Sequence, residues 1–155
     1  EVHDLIGADP DEIRLVSAKE GIGIAELLEE IVKRVPAPKG DPDAPLRALI
    51  FDSYYDRYRG AIPSVRVVDG TIRPGQKIFF ASGSREAYEV AQVGVNQLRQ
   101  VAAPELGPGE VGYVVANVRS VKETRAGDTI MDFDAPAAEP LPGYQAVHSM
   151  VCSGL

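Results

Sequence analysis

Tyrosine and arginine residues alternate in one short stretch of the sequence, Tyr54-Tyr55-Asp56-Arg57-Tyr58-Arg59. Arginine donates paired hydrogen bonds that match a phosphate group, and tyrosine rings can stack on bases or pack on sugars. These residue types therefore favour contact with RNA. Arg66 and Arg119 are weaker candidates, because each is expected to project singly from a strand. The candidate contact residues are Tyr54, Tyr55, Arg57, Tyr58, Arg59 and Arg66.

The same stretch also has a purely structural interpretation. The two arginines could form ion pairs with Asp52 and Asp56, and the tyrosines could cover one end of the fold. The sequence leaves both interpretations open.

Recognisable catalytic patterns are missing from the sequence. It lacks the Gly-x-x-x-x-Gly-Lys-Ser/Thr loop that cradles phosphate and places magnesium, and it lacks the guanine-recognising Asn-Lys-x-Asp. His3 and His148 have no partners at ligand spacing, so we expect no metal site. Cys152 lies in an apolar run and is expected to be a small core residue. We therefore expect this chain alone to bind no cofactor and to catalyse no reaction.

Charge and composition limit the classes of partner. The formal net charge of −7 argues against wrapping DNA or RNA through bulk charge. Residues 41–134 nevertheless hold eleven basic and thirteen acidic residues, which allows a local basic face. The single cysteine excludes an intramolecular disulfide, and no apolar run approaches the roughly twenty residues of a membrane span. Because Glu1 is not an initiator methionine, we expect the sequence to begin inside a larger protein.

Residues 1–35 are expected to be the C-terminal part of an α/β domain. Glu12–Val16 is typical of a short strand. Apolar residues at helical spacing from Ile24 to Val35 predict an amphipathic helix that Pro36 ends. One strand and one helix cannot enclose a core, so further strands are expected elsewhere. The prolines of residues 36–45 predict an extended, semi-rigid linker.

Residues 46–133 carry about six or seven short apolar segments separated by turn residues, which predicts an antiparallel barrel. Leu46–Phe51 is expected to be the first strand, followed by a loop over residues 52–60. Asp69-Gly70 predicts a tight hairpin. Alternation changes phase within residues 88–95, which predicts a β-bulge.

Several segments carry a family resemblance. Val65–Ile78, with its Val-Arg-Val-Val-Asp-Gly-Thr-Ile run, resembles the second-domain barrel of the ribosome-dependent translational GTPases. Gly109–Tyr113 and Gly127–Ile130 are similar to the same class. Three further segments resemble the elongation factor 4 family in particular: Phe51–Gly60, Leu141–Tyr144 and Met150–Leu155. Pro63 departs from the family pattern, and without a backbone donor it should lie at an edge or a bulge.

The resemblance implies a mainly β fold. A translation-factor-type antiparallel β-barrel would be preceded by a strand–helix remnant of an α/β GTP-binding domain, and residues 134–155 would be a linker and the start of a third domain. It also implies that Ser17, Ala18 and Lys19 form a guanine-base loop, in which the N–H of Ala18 donates to guanine O6.

For the full-length protein, the resemblance implies a GTPase that uses GTP and magnesium and acts on the ribosome, with back-translocation as a proposed activity. The barrel would contact small-subunit RNA. A cytoplasmic location is implied, with peripheral membrane association as a family property. The helix, having lost its sheet, is expected to pack on the barrel, pair with a second molecule or promote aggregation. The alternatives are the barrel of another translational GTPase, such as elongation factor G, and a stand-alone RNA-binding barrel.

Overall fold

The protein is described by a computed structural model, which defines Gly7, Asp9 and residues 13–143. The chain divides into a first unit, Glu1–Ala37, and a second unit, Pro38–Leu155. The expectations for His3, His148, Cys152 and the segment Met150–Leu155 lie outside the described residues.

Among the described residues of the first unit, one α-helix, α1, spans Ile24–Arg34. Gly23 precedes it with a φ of 71°, a backbone angle that glycine adopts without steric cost. The helix agrees with the predicted apolar period and ends before Pro36. The predicted strand is not seen, since residues 13–16 form none and only Ser17 bridges to Ile22. A strand needs a partner to satisfy its backbone groups, which explains the difference.

The described part of the second unit, residues 38–143, is built from eight antiparallel strands in one sheet. The strands are β1 (Arg47–Asp56), β2 (Gly60–Asp69), β3 (Lys77–Phe80), β4 (Tyr88–Glu89), β5 (Gln92–Asn96), β6 (Gln100–Ala103), β7 (Val111–Val115) and β8 (Thr129–Asp132). Their order across the sheet is β4-β3-β8-β1-β2-β7-β5-β6, and a 3₁₀-helix spans Val121–Glu123. The mainly β, curled antiparallel architecture confirms the predicted fold class.

The chain passes from one edge region of the sheet to the other between β4 and β5, which lie near opposite ends of the strand order. β4 pairs with β3, whereas β5 pairs with β6 and β7. Between them, the Val90 N–H donates to the Gln76 carbonyl (2.9 Å), and the Ala91 N–H donates to the Val115 carbonyl (2.7 Å). The predicted irregularity within residues 88–95 is thus present, but it is a break between two strands rather than a bulge.

The Asp69-Gly70 turn is a corner, and the prediction of a tight hairpin there was wrong. β2 pairs with β1 and β7, so it does not pair with β3, the next strand in the sequence. Gly70 has a φ of 71°, and a Cβ added to it would lie 2.7 Å from the Leu46 Cα. Glycine is required here because the segment before β1 crosses directly over the corner.

A continuous apolar core fills the inside of the curled sheet. Alternate residues of β1 and β2 point into it, as the period of a strand requires. The fully buried members include Ala48, Ile50, Val65, Val67, Ile72, Ile78, Val93, Leu106, Val114, Val118 and Ile130.

Candidate nucleic-acid interface

The candidate RNA-contact residues lie on an extended hairpin formed by β1 and β2. The expected loop over residues 52–60 is mostly strand, because Ser53 pairs with Pro63, Tyr54 with Ile62 and Tyr55 with Ala61. Residues 57–59 alone form the turn. The ladder shifts register between Ile50 and Asp52, close to the Pro63 pair, in agreement with the expectation that a proline lies near a bulge.

The Asp56 side chain organises the turn. Its Oδ1 accepts the backbone N–H groups of Tyr58 and Arg59, each at 2.9 Å, and its Oδ2 lies 3.5 Å from the Arg59 guanidinium. These hydrogen bonds, the Tyr58 N–H first, hold the pKa of the Asp56 carboxyl below its usual value. The turn closes at Gly60, whose φ is 78° and where a Cβ would lie 2.3 Å from the Val118 carbonyl oxygen.

The side chains at the turn differ in their exposure to solvent and in their contacts with other residues. Tyr58 is 96% exposed and Tyr55 56% exposed, and Arg57 is exposed with no hydrogen bond or ion pair to any described residue. Arg59 is partly buried and pairs with Asp56, as the structural interpretation expected. The two tyrosines do not cover the end of the fold.

Gln100, which no sequence pattern singled out, joins the turn to the neighbouring β5–β6 hairpin. Its Nε2 donates to the Tyr54 hydroxyl oxygen at 2.6 Å, and its Oε1 accepts from the Arg59 guanidinium at 2.9 Å. The available signal was a short segment with two polar residues, Gln97-Leu98-Arg99, between the strand residues Val95 and Val101, which is typical of a hairpin.

Arg66 is not part of this cluster. It is exposed on β2 between Leu49 and Val111, several residues from the turn. Arg119 is also exposed, and it follows Val118, which bridges to Ala61, two residues after the 57–59 turn. The structure therefore places Arg119, rather than Arg66, beside the turn.

The predicted guanine-base residues form a tight loop in the first unit. The Ser17 and Ile22 backbones exchange hydrogen bonds of 3.0 and 3.1 Å, and the Ser17 hydroxyl accepts the Glu20 N–H at 3.3 Å. Ala18 and Lys19 lie in the turn between them and are exposed. The Ala18 N–H donates to no described residue, so it is available to an external acceptor.

The part of the chain that the structure describes contains no helix with the length and apolar character needed to traverse a membrane.

Residues of both units align with the same known proteins. Residues 60–131 match the family model described as Elongation factor Tu domain 2. The whole chain is 52% identical to elongation factor 4 of Geobacillus thermodenitrificans, 55% to that of Sorangium cellulosum and 51% to that of Staphylococcus aureus strain JH1. It covers 25%, 26% and 25% of those proteins, respectively, and so spans about a quarter of their length. By its sequence, the chain matches a segment of the elongation factor 4 family that includes the region described as Elongation factor Tu domain 2.

Proposed function

We propose that the barrel docks on small-subunit ribosomal RNA through the turn at the end of the β1–β2 hairpin. The observation that carries the proposal is an ordered turn that presents Arg57, Tyr55 and Tyr58 to solvent. The arginine offers a charge for phosphate, and the aromatic rings offer faces for unpaired bases. Contacts with phosphates and with the faces of bases would position the barrel on the RNA without recognising a particular base sequence.

The acidic net charge of the chain does not oppose this contact, because the turn is locally basic. Asp56 accepts hydrogen bonds from its own turn and lies beside Arg59, so its negative charge is partly offset there. Arg57 has no such partner in the described chain. Over a separation greater than about 8 Å, distant surface acids are largely screened at physiological ionic strength.

We infer that the full-length protein is a ribosome-dependent GTPase that uses GTP and magnesium. Identity to elongation factor 4 over the entire chain supports this function. The Ser17–Lys19 loop supports it as well, because the Ala18 N–H could donate to guanine O6 and would reject the amino group of adenine. Promotion of back-translocation remains part of the proposal for the full-length protein, and it rests on the family resemblance. Action on ribosomes implies a cytoplasmic location.

The elongation factor 4 assignment is favoured over one of its alternatives, a stand-alone RNA-binding barrel. A stand-alone RNA-binding barrel would not explain why residues outside 60–131 also align with the same relatives.

We further propose that the exposed apolar face of α1 lets this chain self-associate, and a light-scattering comparison of charged variants of α1 tests that proposal.

The docking proposal is tested by co-sedimentation of the chain with purified small ribosomal subunits at low and raised salt. We expect Arg57→Glu/Arg59→Glu to lower binding at least tenfold, because two donors for phosphate become repulsive carboxylates. The slope of log affinity against log salt should fall by about 0.7 for each phosphate group that the variant no longer binds, if the RNA is single-stranded.

The matched control is Lys39→Glu/Lys77→Glu, which changes the net charge equally at exposed positions away from the turn. An equal decrease in binding by the control would mean that overall charge, and not the turn, drives association. Absence of binding by the parent chain at low salt would overturn autonomous docking of the barrel.

A further inference from the structure

A second turn lies beside the proposed docking turn. Residues 97–99 connect β5 to β6, and the Gln97 N–H donates to the Arg99 carbonyl at 3.0 Å. Leu98, at the tip, is fully exposed, with a relative accessibility of 109%, and Arg99 is exposed as well. A leucine this exposed at a hairpin tip contributes nothing to the core, and it leaves an apolar group beside a cation in solvent.

The two turns are joined by side-chain hydrogen bonds through Gln100. The Gln100 amide reaches Tyr54 at 2.6 Å and Arg59 at 2.9 Å, and it lies 3.4 Å from the Asn96 Oδ1. These contacts cross from β6 to both sides of the first turn. They hold the 97–99 turn and the 57–59 turn as neighbouring parts of one surface.

The direction of these hydrogen bonds determines what the surface offers to a ligand. Because the Gln100 amide donates to the Tyr54 oxygen, the hydroxyl proton of Tyr54 stays available for an external acceptor. The Arg59 Nη2 is shared between Asp56 and Gln100, and the other guanidinium nitrogens donate to no described residue. The Tyr54 hydroxyl and the Arg59 guanidinium are thus held in place by Gln100, and each keeps N–H or O–H donors that no described residue uses.

We propose that the 97–99 turn is the second half of the RNA-binding surface, in which Arg99 contacts a phosphate, Leu98 packs on an unpaired nucleotide and Gln100 positions Tyr54 and Arg59. This inference rests on the proposed function and extends it to a strand of RNA that crosses both turns. Gln100 is a positioning residue, since it acts through the two side chains that it holds.

Charge and shape favour a single-stranded or looped RNA as the occupant. Three arginines, Arg57, Arg59 and Arg99, belong to the two turns, which contain no acidic residue, and Asp52 and Asp56 precede the first turn in β1. Asp52 accepts the Ser53 N–H, and Asp56 is engaged within its turn. Exposed aromatic and aliphatic side chains suit unpaired nucleotides, whereas the bases of a regular RNA duplex are stacked on one another.

The experiment titrates purified small ribosomal subunits with the full 155-residue chain at several salt concentrations. The variants are Arg99→Gln and Gln100→Glu, and Lys77→Gln is the matched control for the removal of one exposed charge. We expect Arg99→Gln to lower affinity about threefold or more and to reduce the salt slope by about 0.7, corresponding to one phosphate group. The control should bind as the parent does.

The Gln100→Glu variant tests whether Gln100 orients Tyr54 and Arg59 for RNA or only stabilises the fold. A carboxylate can still pair with Arg59 and can accept the Tyr54 hydroxyl, so the unfolding midpoint should hold. The Tyr54 hydroxyl would then donate to the new carboxylate instead of to RNA, and the carboxylate would partly neutralise the charge of Arg59. The affinity for the small subunit should therefore fall at least threefold. If this variant fails to fold, the Arg99→Gln result decides the inference alone.

The possible results distinguish the inference about the 97–99 turn from the proposal that the 57–59 turn docks on RNA. Parent-like binding by Arg99→Gln and Gln100→Glu, together with binding lowered at least tenfold in Arg57→Glu/Arg59→Glu, would overturn this inference and leave the proposal for the 57–59 turn intact. Absence of binding by the parent would overturn both. Displacement of the chain by polyglutamate as readily as by polyuridylate would indicate an acidic protein surface and contradict an RNA partner.

Discussion

Gly94 lies in β5 at a position where a side chain has no room. A Cβ added there would lie 2.3 Å from the Val101 carbonyl oxygen and 2.5 Å from the Tyr113 hydroxyl oxygen. Tyr113 is fully buried, and its hydroxyl accepts from the Gln92 amide at 2.6 Å. The glycine is therefore needed so that the tyrosine ring can pack across the strand.

We expect Gly94→Ala to lower the free energy of unfolding by about 1–3 kcal/mol, as overpacking in a dense interior does. The neighbouring carbonyl belongs to a paired strand and cannot move without breaking the β5–β6 ladder. Urea denaturation followed by circular dichroism measures the change. Gly83→Ala is the control, because the nearest atom to its Cβ is the Phe80 oxygen at 3.8 Å. Equal stability of both variants would refute the role assigned to the glycine.

At the scale of the elements, α1 is amphipathic but has no buried residue. Its apolar side chains stay open to solvent, with Leu28 58%, Ile31 47% and Val32 79% exposed. On the polar side, Arg34 lies 2.6 Å from Glu30. Ion pairs at this spacing support the helix weakly, by about 0.3–0.5 kcal/mol, so the apolar face is left to interact with other surfaces.

We expect Leu28→Glu/Ile31→Glu to reduce self-association of the chain, because two exposed apolar groups become charged. Static light scattering over a range of protein concentrations gives the average mass of parent and variant. Glu26→Gln/Glu29→Gln, on exposed positions of the same helix, is the control and should retain the parent behaviour. An unchanged mass in the Leu28/Ile31 variant would contradict association through this face.

At the scale of the whole barrel unit, the chain enters at one end of β1, and the docking turn lies at the other. The incoming segment is fixed by the Gly70 N–H, which donates to the Asp41 carbonyl at 2.8 Å, and Arg47 at the start of β1 pairs with Asp69. The Asp69 carboxyl has a lowered pKa, chiefly because Arg47 donates to it. Ten residues of strand at about 3.3 Å each separate this end from the turn by roughly 30 Å. The proposed RNA contact therefore lies far from the point where the chain enters β1.

In the full-length protein, we expect Arg57→Glu/Arg59→Glu to raise the ribosome concentration for half-maximal GTP hydrolysis at least tenfold. The variant weakens docking at a site far from the incoming segment, so the rate at saturating ribosomes should change much less. Measurement of GTP turnover against ribosome concentration separates these two quantities. A fall in the saturated rate at unchanged half-maximal concentration would contradict a docking role.

Several features were determined by the sequence itself because they depend on local backbone chemistry. The apolar period from Ile24 and the stop at Pro36 predicted α1, and alternating apolar residues with glycine turns predicted the curled antiparallel sheet. Residue type alone singled out Arg57, Tyr55 and Tyr58 as candidates for RNA contact, whereas their exposure is seen only in the structure. Pro63 was expected at an irregular position because it lacks a backbone donor, and the shift near its pair agrees with that expectation.

Tertiary structure decided which segments meet. The extension of β1 to Asp56 depends on β2 as its partner, and the corner at Gly70 depends on the segment before β1 crossing over it. Gln100 joins the docking turn through hydrogen bonds to residues 41 and 46 positions away in the chain. No local period encodes such contacts, since they arise only when the curled sheet brings the two hairpins side by side. Local propensity thus predicted the elements, and long-range strand pairing assembled the candidate surface.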